Sequence, residues 1–185
     1  MTTTLTRTLD DWEKAQMLFP DAKIELVGGK IIIMAPSGME SEEVSSRFLI
    51  KLGAWVDEKN LGRTLGSSAI YDLPNGDRRV PDVSLIRAEN VARAPKKPST
   101  VVPDLVVKVK SPSDNSQELR EKIVSFLTQG SLVGILVDPD TKRVEVLRLN
   151  LADEILSDAD TLTLPELFPG WSLPISSLWA RDFSV

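Results

Sequence analysis

The run LVGILVDP, from Leu132 to Pro139, has no polar side chain before Asp138. A strand of that composition has no side that tolerates water, so it must be covered on both faces. The chain supplies helices that can do the covering. In SEEVSSRFLIKLGAWVDEKN, residues Val44, Phe48, Leu49, Leu52, Trp55 and Val56 recur at helical spacing and mark a face that buries against a sheet. Upstream of the apolar run, Leu119, Ile123, Phe126 and Leu127 repeat in the same way, with Ser113 or Ser116 as the cap and Gly130 as the stop.

The remaining segments fit around that centre. Thr8 can cap a helix through TLDDWEKAQMLF, closed by Pro20, and Gly28-Gly29 between two apolar runs signals a β-hairpin. The segment SAIYDLPNGDRRVPDVSLIRAE reads as strand, turn at Asn75-Gly76, then a strand from about Val80 to Ile86. Pro81 cannot donate to a ladder and marks a strand start or an edge. A loop at ARAPKKPST precedes the strand in PDLVVKVKSPSDN, and PDTK turns the apolar run into the strand RVEVLRL. The tail LPELFPGWSLPISSLWA is expected to close the fold with turns and two packed tryptophans. This order predicts an α/β (α+β) fold, with a mixed central sheet flanked by helices and an N-terminal helix and β-hairpin. At 185 residues it is expected to be one domain over 1–185.

Composition limits the chemistry. The chain has no cysteine and no histidine, which excludes thiolate nucleophiles, imidazole bases and nearly every zinc site. The metal site most easily built is an oxygen site for a hard cation. The N-terminus lacks the apolar core of a signal peptide and no run approaches a membrane span, so a cytoplasmic protein is expected. The net charge of −5 argues against a generally basic nucleic-acid binder. From Arg78 to Lys110, however, eight basic residues stand against three acids. Arg78, Arg79, Arg87, Lys96 and Lys97 are therefore candidates for contacting nucleic-acid phosphates, with a solvated loop of scattered charges as the plainer reading.

Lys108 and Lys110 lie one alternation apart in an otherwise apolar strand, so they are either exposed or employed. Asp82 begins an earlier strand, and if the two strands are neighbours it converges with the lysines. Phosphodiester chemistry with a hard cation needs two or three oxygen ligands around the ion and a lysine to orient water or stabilise charge. Asp104 reads as a turn former, Ser111, Ser113 and Asp114 as turn and cap residues, and Glu43, Arg47 and Lys51 as a solvated ladder of charge pairs.

From about Ile24 to Trp179 the chain resembles the Uma-two family, a branch of the PD-(D/E)XK nuclease superfamily. The residues that carry the resemblance are IELVGGKIIIMAPSG, YDLPNGDRRVPDVSLIRAE, PDLVVKVKSPSDN with LREKI after it, LVDPDTKRVEV and LFPGWSLPISSLW, in that order. It implies a restriction-endonuclease-like core, DNA as partner, magnesium or manganese as cofactor, and a homodimer. The family's first metal-binding aspartate falls on Asp82, the lysine of its E-x-K motif on Lys110, and the acid of that motif on Lys108.

A cation thus stands where the resemblance calls for a carboxylate, and Lys108 can pair with Asp82 and fill the metal pocket from within. Three readings follow. The site has lost cleavage and the fold serves nucleic-acid binding, protein interaction or assembly; or the missing acid has migrated to Glu118 or Glu121; or Lys108 is a change in an active parent. In the active readings Asp82 and a second acid hold the metal, and Lys110 polarises water or phosphate.

Overall fold

In the computed structural model of the chain, residues 8–34, 37–91 and 100–181 are described. Helix α1 (Leu9–Leu18) starts at a capping box, in which Thr8 and Asp11 each accept a hydrogen bond from the other's backbone N–H. It docks through Trp12, whose indole N–H donates to the Ile24 carbonyl at 2.8 Å on the hairpin β1 (Lys23–Val27) and β2 (Lys30–Met34). Gly28 and Gly29 turn the hairpin at φ of 53° and 73°, a left-handed pair that side chains resist.

Helix α2 (Met39–Glu58) is followed by strands β3 (Gly62–Leu65), β4 (Tyr71–Asp72), β5 (Arg78–Arg79), β6 (Val83–Arg87) and β7 (Leu105–Val109). Helix α3 (Ser116–Thr128) then leads to β8 (Val133–Asp138) and β9 (Arg143–Leu147), with β10 (Glu154–Leu156), β11 (Thr161–Thr163) and β12 (Ser172–Pro174) near the C-terminus. The central sheet has six strands in the order β10-β9-β8-β7-β6-β3. Strands β7 and β8 are parallel and joined through α3, and the other pairs are antiparallel.

The apolar run is β8, next to the sheet's middle. From β7 and β8, Val107, Val109, Ile135 and Val137 pack with Val44, Phe48, Leu52 and Val56 of α2. On the opposite face Val106 and Leu136 pack with Leu119, Ile123 and Phe126 of α3. Trp171 joins the α2 side, its ring 6.4 Å from Phe48 and 6.0 Å from Phe168, and Trp179 packs partly buried beside it. The tail is more ordered than turns, because β11 and β12 form a two-stranded sheet.

Two local expectations are corrected. Asn115, not Ser113 or Ser116, caps α3: its side-chain oxygen accepts from the N–H of Gln117 at 2.8 Å and of Glu118 at 3.4 Å. The strand expected from about Val80 to Ile86 begins later, at Val83, and a separate two-residue strand, Arg78–Arg79, precedes it in another sheet. A four-stranded sheet, β2-β1-β5-β4, takes Arg78 and Arg79, while the central sheet takes over at Val83. The break falls at Pro81, which has no N–H to continue a ladder. Val80 instead gives its N–H to the Glu25 carboxylate at 3.0 Å, and Asp82 gives its own to the Val107 carbonyl at 3.0 Å.

Two core contacts have measurable consequences. A Cβ on Gly134 would lie 2.0 Å from Cγ2 of the buried Ile123, so α3 sits directly on the backbone of β8. Gly134→Ala should lower stability by about 1–3 kcal/mol, read as a lower denaturation midpoint in urea. Tyr71, the only tyrosine, is buried with its hydroxyl 2.7 Å from Ser84 Oγ. Burial pushes its pKa up to about 12, with the Ser84 hydrogen bond partly opposing the rise. The folded state thus favours the neutral phenol, and that contribution to stability is complete below the ordinary value of about 10 and lost as pH rises toward the folded value. Tyrosinate ultraviolet absorbance should appear late, together with unfolding, and Tyr71→Phe should remove the absorbance change altogether.

Candidate functional site

The break at Pro81 delivers Asp82 to the mouth of the central sheet, where its backbone N–H is held by β7. Its carboxylate is held by β7 as well. Oδ2 accepts from the Val109 N–H at 2.8 Å, and Oδ1 accepts from Lys108 Nζ at 2.9 Å. Both side chains are nearly buried, Lys108 at 9% and Asp82 at 12% exposure. The pairing of Lys108 with Asp82 is the arrangement expected of a lysine that fills the pocket from within.

The two lysines of β7 part company. Lys108 leans toward Asp82 on the β6 side. Lys110, just past the last ladder residue, leans the other way, with Nζ 2.8 Å from Asp140 Oδ2 and 3.6 Å from Asp138 Oδ1 at the end of β8. The Asp140 hydrogen bond, with the charge of Asp138 and Asp140 behind it, holds the Lys110 ammonium above the ordinary lysine range against the opposing effect of burial. Lys110 is thereby fixed as a cation, and it does not line the cleft that contains Asp82 and Lys108.

That cleft, of about 360 Å³, is lined by Lys23, Met34, Ser37, Asp82, Lys108, Ser111, Asp114 and Lys122 among others. Lys23 stands 4.0 Å from Asp82 Oδ1. Lys122, from α3, lies 3.7 Å from Met34 Sδ and 3.7 Å from Glu25 Oε2. Glu25 is buried and also lies 3.9 Å from Arg79 Nη1, yet its Oε2 has no hydrogen-bond partner among the described residues. At the rim, Ser41 Oγ meets Ser111 Oγ at 3.1 Å, and Asp114 accepts from the Ser111 N–H at 2.8 Å, the turn role expected of it.

Sequence reasoning missed Lys23, Glu25 and Lys122. The signal was the alternation KIELV, whose apolar members Ile24 and Leu26 pack with Trp12 and leave Lys23 and Glu25 for the other face. Nothing in the chain's local pattern says what that other face meets.

The remaining candidates are placed elsewhere. Arg78 is buried, bonded to Asp72 at 2.6 Å and 4.3 Å from the Trp12 ring centre. Arg79 is buried with Asp77 at 3.2 Å. Arg87 bridges Asp104 at 3.0 Å and Glu89 at 2.8 Å. These three arginines are fold contacts rather than a free basic surface, which corrects the expectation for them, and Lys96 and Lys97 lie outside the described residues. Asp104 is more than a turn former: buried, it also accepts from the Arg87 N–H and from Asn90. Glu43 pairs with Arg47 at 2.6 Å as expected of a surface ladder. Glu118 and Glu121 are exposed on α3, Glu121 accepting from Gln117 at 3.1 Å, and neither lines the cleft.

A hard divalent cation needs several oxygen ligands. Here both oxygens of Asp82 are engaged, an ammonium stands beside them, and among the described residues no group of three or more His, Cys, Asp or Glu could hold a metal. The residues present therefore do not fit magnesium or manganese.

The architecture has a solved counterpart. A putative nuclease belonging to DUF820 from Anabaena variabilis ATCC 29413 superposes with a TM-score of 0.78 at 23% identity, over 92% of this chain and 96% of that one. This likeness shows the fold, a mixed nuclease-like one. A family model described as putative restriction endonuclease matches residues 8–176. The chain belongs to that family, Uma2. A DrdV–DNA complex aligns with a TM-score of only 0.35 at 10% identity, over 62% of this chain and 12% of that one, a likeness that carries no argument. No curated protein matches the chain. Among the described residues no helix is long and apolar enough to cross a membrane.

The ion pair itself can be tested without any ligand. Lys108→Met should remove about 3 kcal/mol or more, because it leaves the nearly buried Asp82 carboxylate with only the Val109 N–H and a more distant lysine. Adding Asp82→Asn should recover part of that loss, and urea melts of the two single variants and the double variant measure the coupling. Strict additivity would mean that the pair is not coupled.

Proposed function

We propose that this chain is a nuclease-fold protein that engages DNA without metal-dependent cleavage. The observation that carries the reading is the Lys108 ammonium on Asp82 Oδ1 at 2.9 Å. It puts a positive charge where the family resemblance calls for a second carboxylate, and a divalent cation entering there would meet repulsion instead of a ligand. A migrated acid finds no support, since neither Glu118 nor Glu121 lines the cleft and Glu121 is engaged by Gln117 on the exposed side of α3. Lys110 supports the same reading, because a lysine fixed on Asp138 and Asp140 is not free to polarise water beside Asp82. DNA as the partner rests on the family and on the lysines that line the cleft.

The test compares the natural chain with Lys108→Glu. The natural chain should show no change in melting temperature with millimolar magnesium or manganese and no cutting of plasmid or linear DNA. Lys108→Glu should acquire a metal-dependent rise in melting temperature. Mobility-shift measurements on the natural chain should show DNA binding that weakens steeply as salt increases. Metal-dependent cutting by the natural chain would overturn the reading, and so would the absence of any DNA binding at low salt.

A further inference from the structure

We propose that the cleft is a metal-free phosphate site, in which Lys23, Lys108 and Lys122 together hold one phosphodiester of a nucleic-acid backbone. The proposal deepens the DNA-binding reading above and rests on it for the source of the phosphate.

Three ammonium groups from three different elements, β1, β7 and α3, line one cleft of about 360 Å³. Each is engaged by the fold only in part. Lys108 has three N–H donors and spends one on Asp82, leaving the others for a ligand although the residue is only 7% exposed. Lys23 reaches Asp82 only at 4.0 Å, beyond hydrogen-bond range. Lys122 has a thioether at 3.7 Å and the Glu25 carboxylate at 3.7 Å, one a weak acceptor and the other again too far for a good hydrogen bond. Lysines with donors left over after their protein contacts, around a cleft that also presents Ser37, Ser111 and Ser113, are matched by a ligand made of acceptor oxygens.

The charges select among such ligands. The acids lining the cleft are Asp82 and Asp114, so three cations face two anions. Behind Lys122, the Glu25 carboxylate is shared with Arg79 at 3.9 Å, and Arg79 also meets Asp77 at 3.2 Å. The surplus is small, which suits the single negative charge of a phosphodiester better than a polyphosphate. In this arrangement the ammonium of Lys108 does for the phosphate oxygens what a divalent cation would otherwise do, and Asp82 fixes that ammonium in place rather than binding metal.

The full chain, with Lys23→Gln, Lys122→Gln and the double variant, tests this. The first probe is inorganic phosphate, compared with chloride at equal ionic strength. Phosphate should raise the melting temperature of the natural chain more than chloride does, each single variant should lose most of that difference, and the double variant should lose all of it. The second probe is a DNA duplex. Because the lysines share one phosphate, the double variant should reduce the slope of log affinity against log salt by about 0.9, the value for one phosphate neutralised, and not by twice that. Circular dichroism without ligand checks that the variants fold, and either single variant suffices if the double variant does not.

Equal responses to phosphate and chloride, or a phosphate response retained by folded variants, would overturn the site. DNA binding with an unchanged slope would overturn it too, while leaving the DNA-binding reading intact. A phosphate response lost in the variants, without any DNA binding, would support the anion site and sink the DNA-binding reading.

Discussion

The carboxylate of Asp82 is the point on which the rest of the structure turns. Its residue follows a proline that ends one sheet, and its backbone N–H opens the other by bonding to β7. The same side chain then closes on β7 twice, through the Val109 N–H and the Lys108 ammonium. A carboxylate held this way by a neighbouring strand is part of the junction between two sheets. The ammonium on Oδ1 occupies the side from which a cation would approach that oxygen, so the pairing that closes the junction is also what sets this carboxylate apart from a metal ligand.

The neighbouring buried charges share this character. Glu25, Arg79, Asp77, Arg78 and Asp72 come from the hairpin, from the two short strands beside it and from the turn between those strands, and together they hold the four-stranded sheet and its turns. Arg78 lies over Trp12 and so links that network to α1. Burying such groups is costly unless they are paired, and most of their polar atoms are. Glu25 Oε2 and Arg79 Nε are without hydrogen bonds among the described residues, which makes this the least satisfied part of the interior.

The sequence made the periodic elements legible: Val44, Phe48, Leu52 and Val56 on α2, Leu119, Ile123 and Phe126 on α3, and the two-sided burial of β8 all follow from local spacing. The opposition of Lys108 and Asp82 was legible too, once the two strands were taken as neighbours. What escaped had a common cause. Whether one strand continues or passes between sheets at Pro81 depends on which partners lie on either side, and β5 is too short to advertise them. Lys110 and Lys108 look equivalent in an alternating pattern, yet β7 has β6 on one side and β8 on the other, and each lysine answers to a different neighbour. The arginines at 78, 79 and 87 read as a basic surface because a charge run does not disclose the acids that come back to meet it from Asp72, Asp77 and Asp104.

The bare backbone at Gly134 has a consequence for the cleft beside α3. Ile123 rests against that glycine with no room for a methyl group, and the residue before it is Lys122. The seat of the helix on β8 therefore acts as a depth stop for the cleft wall. Any residue larger than glycine at 134 would have to displace Ile123, the neighbour of Lys122, so the packing beneath this cleft wall is set from inside the core.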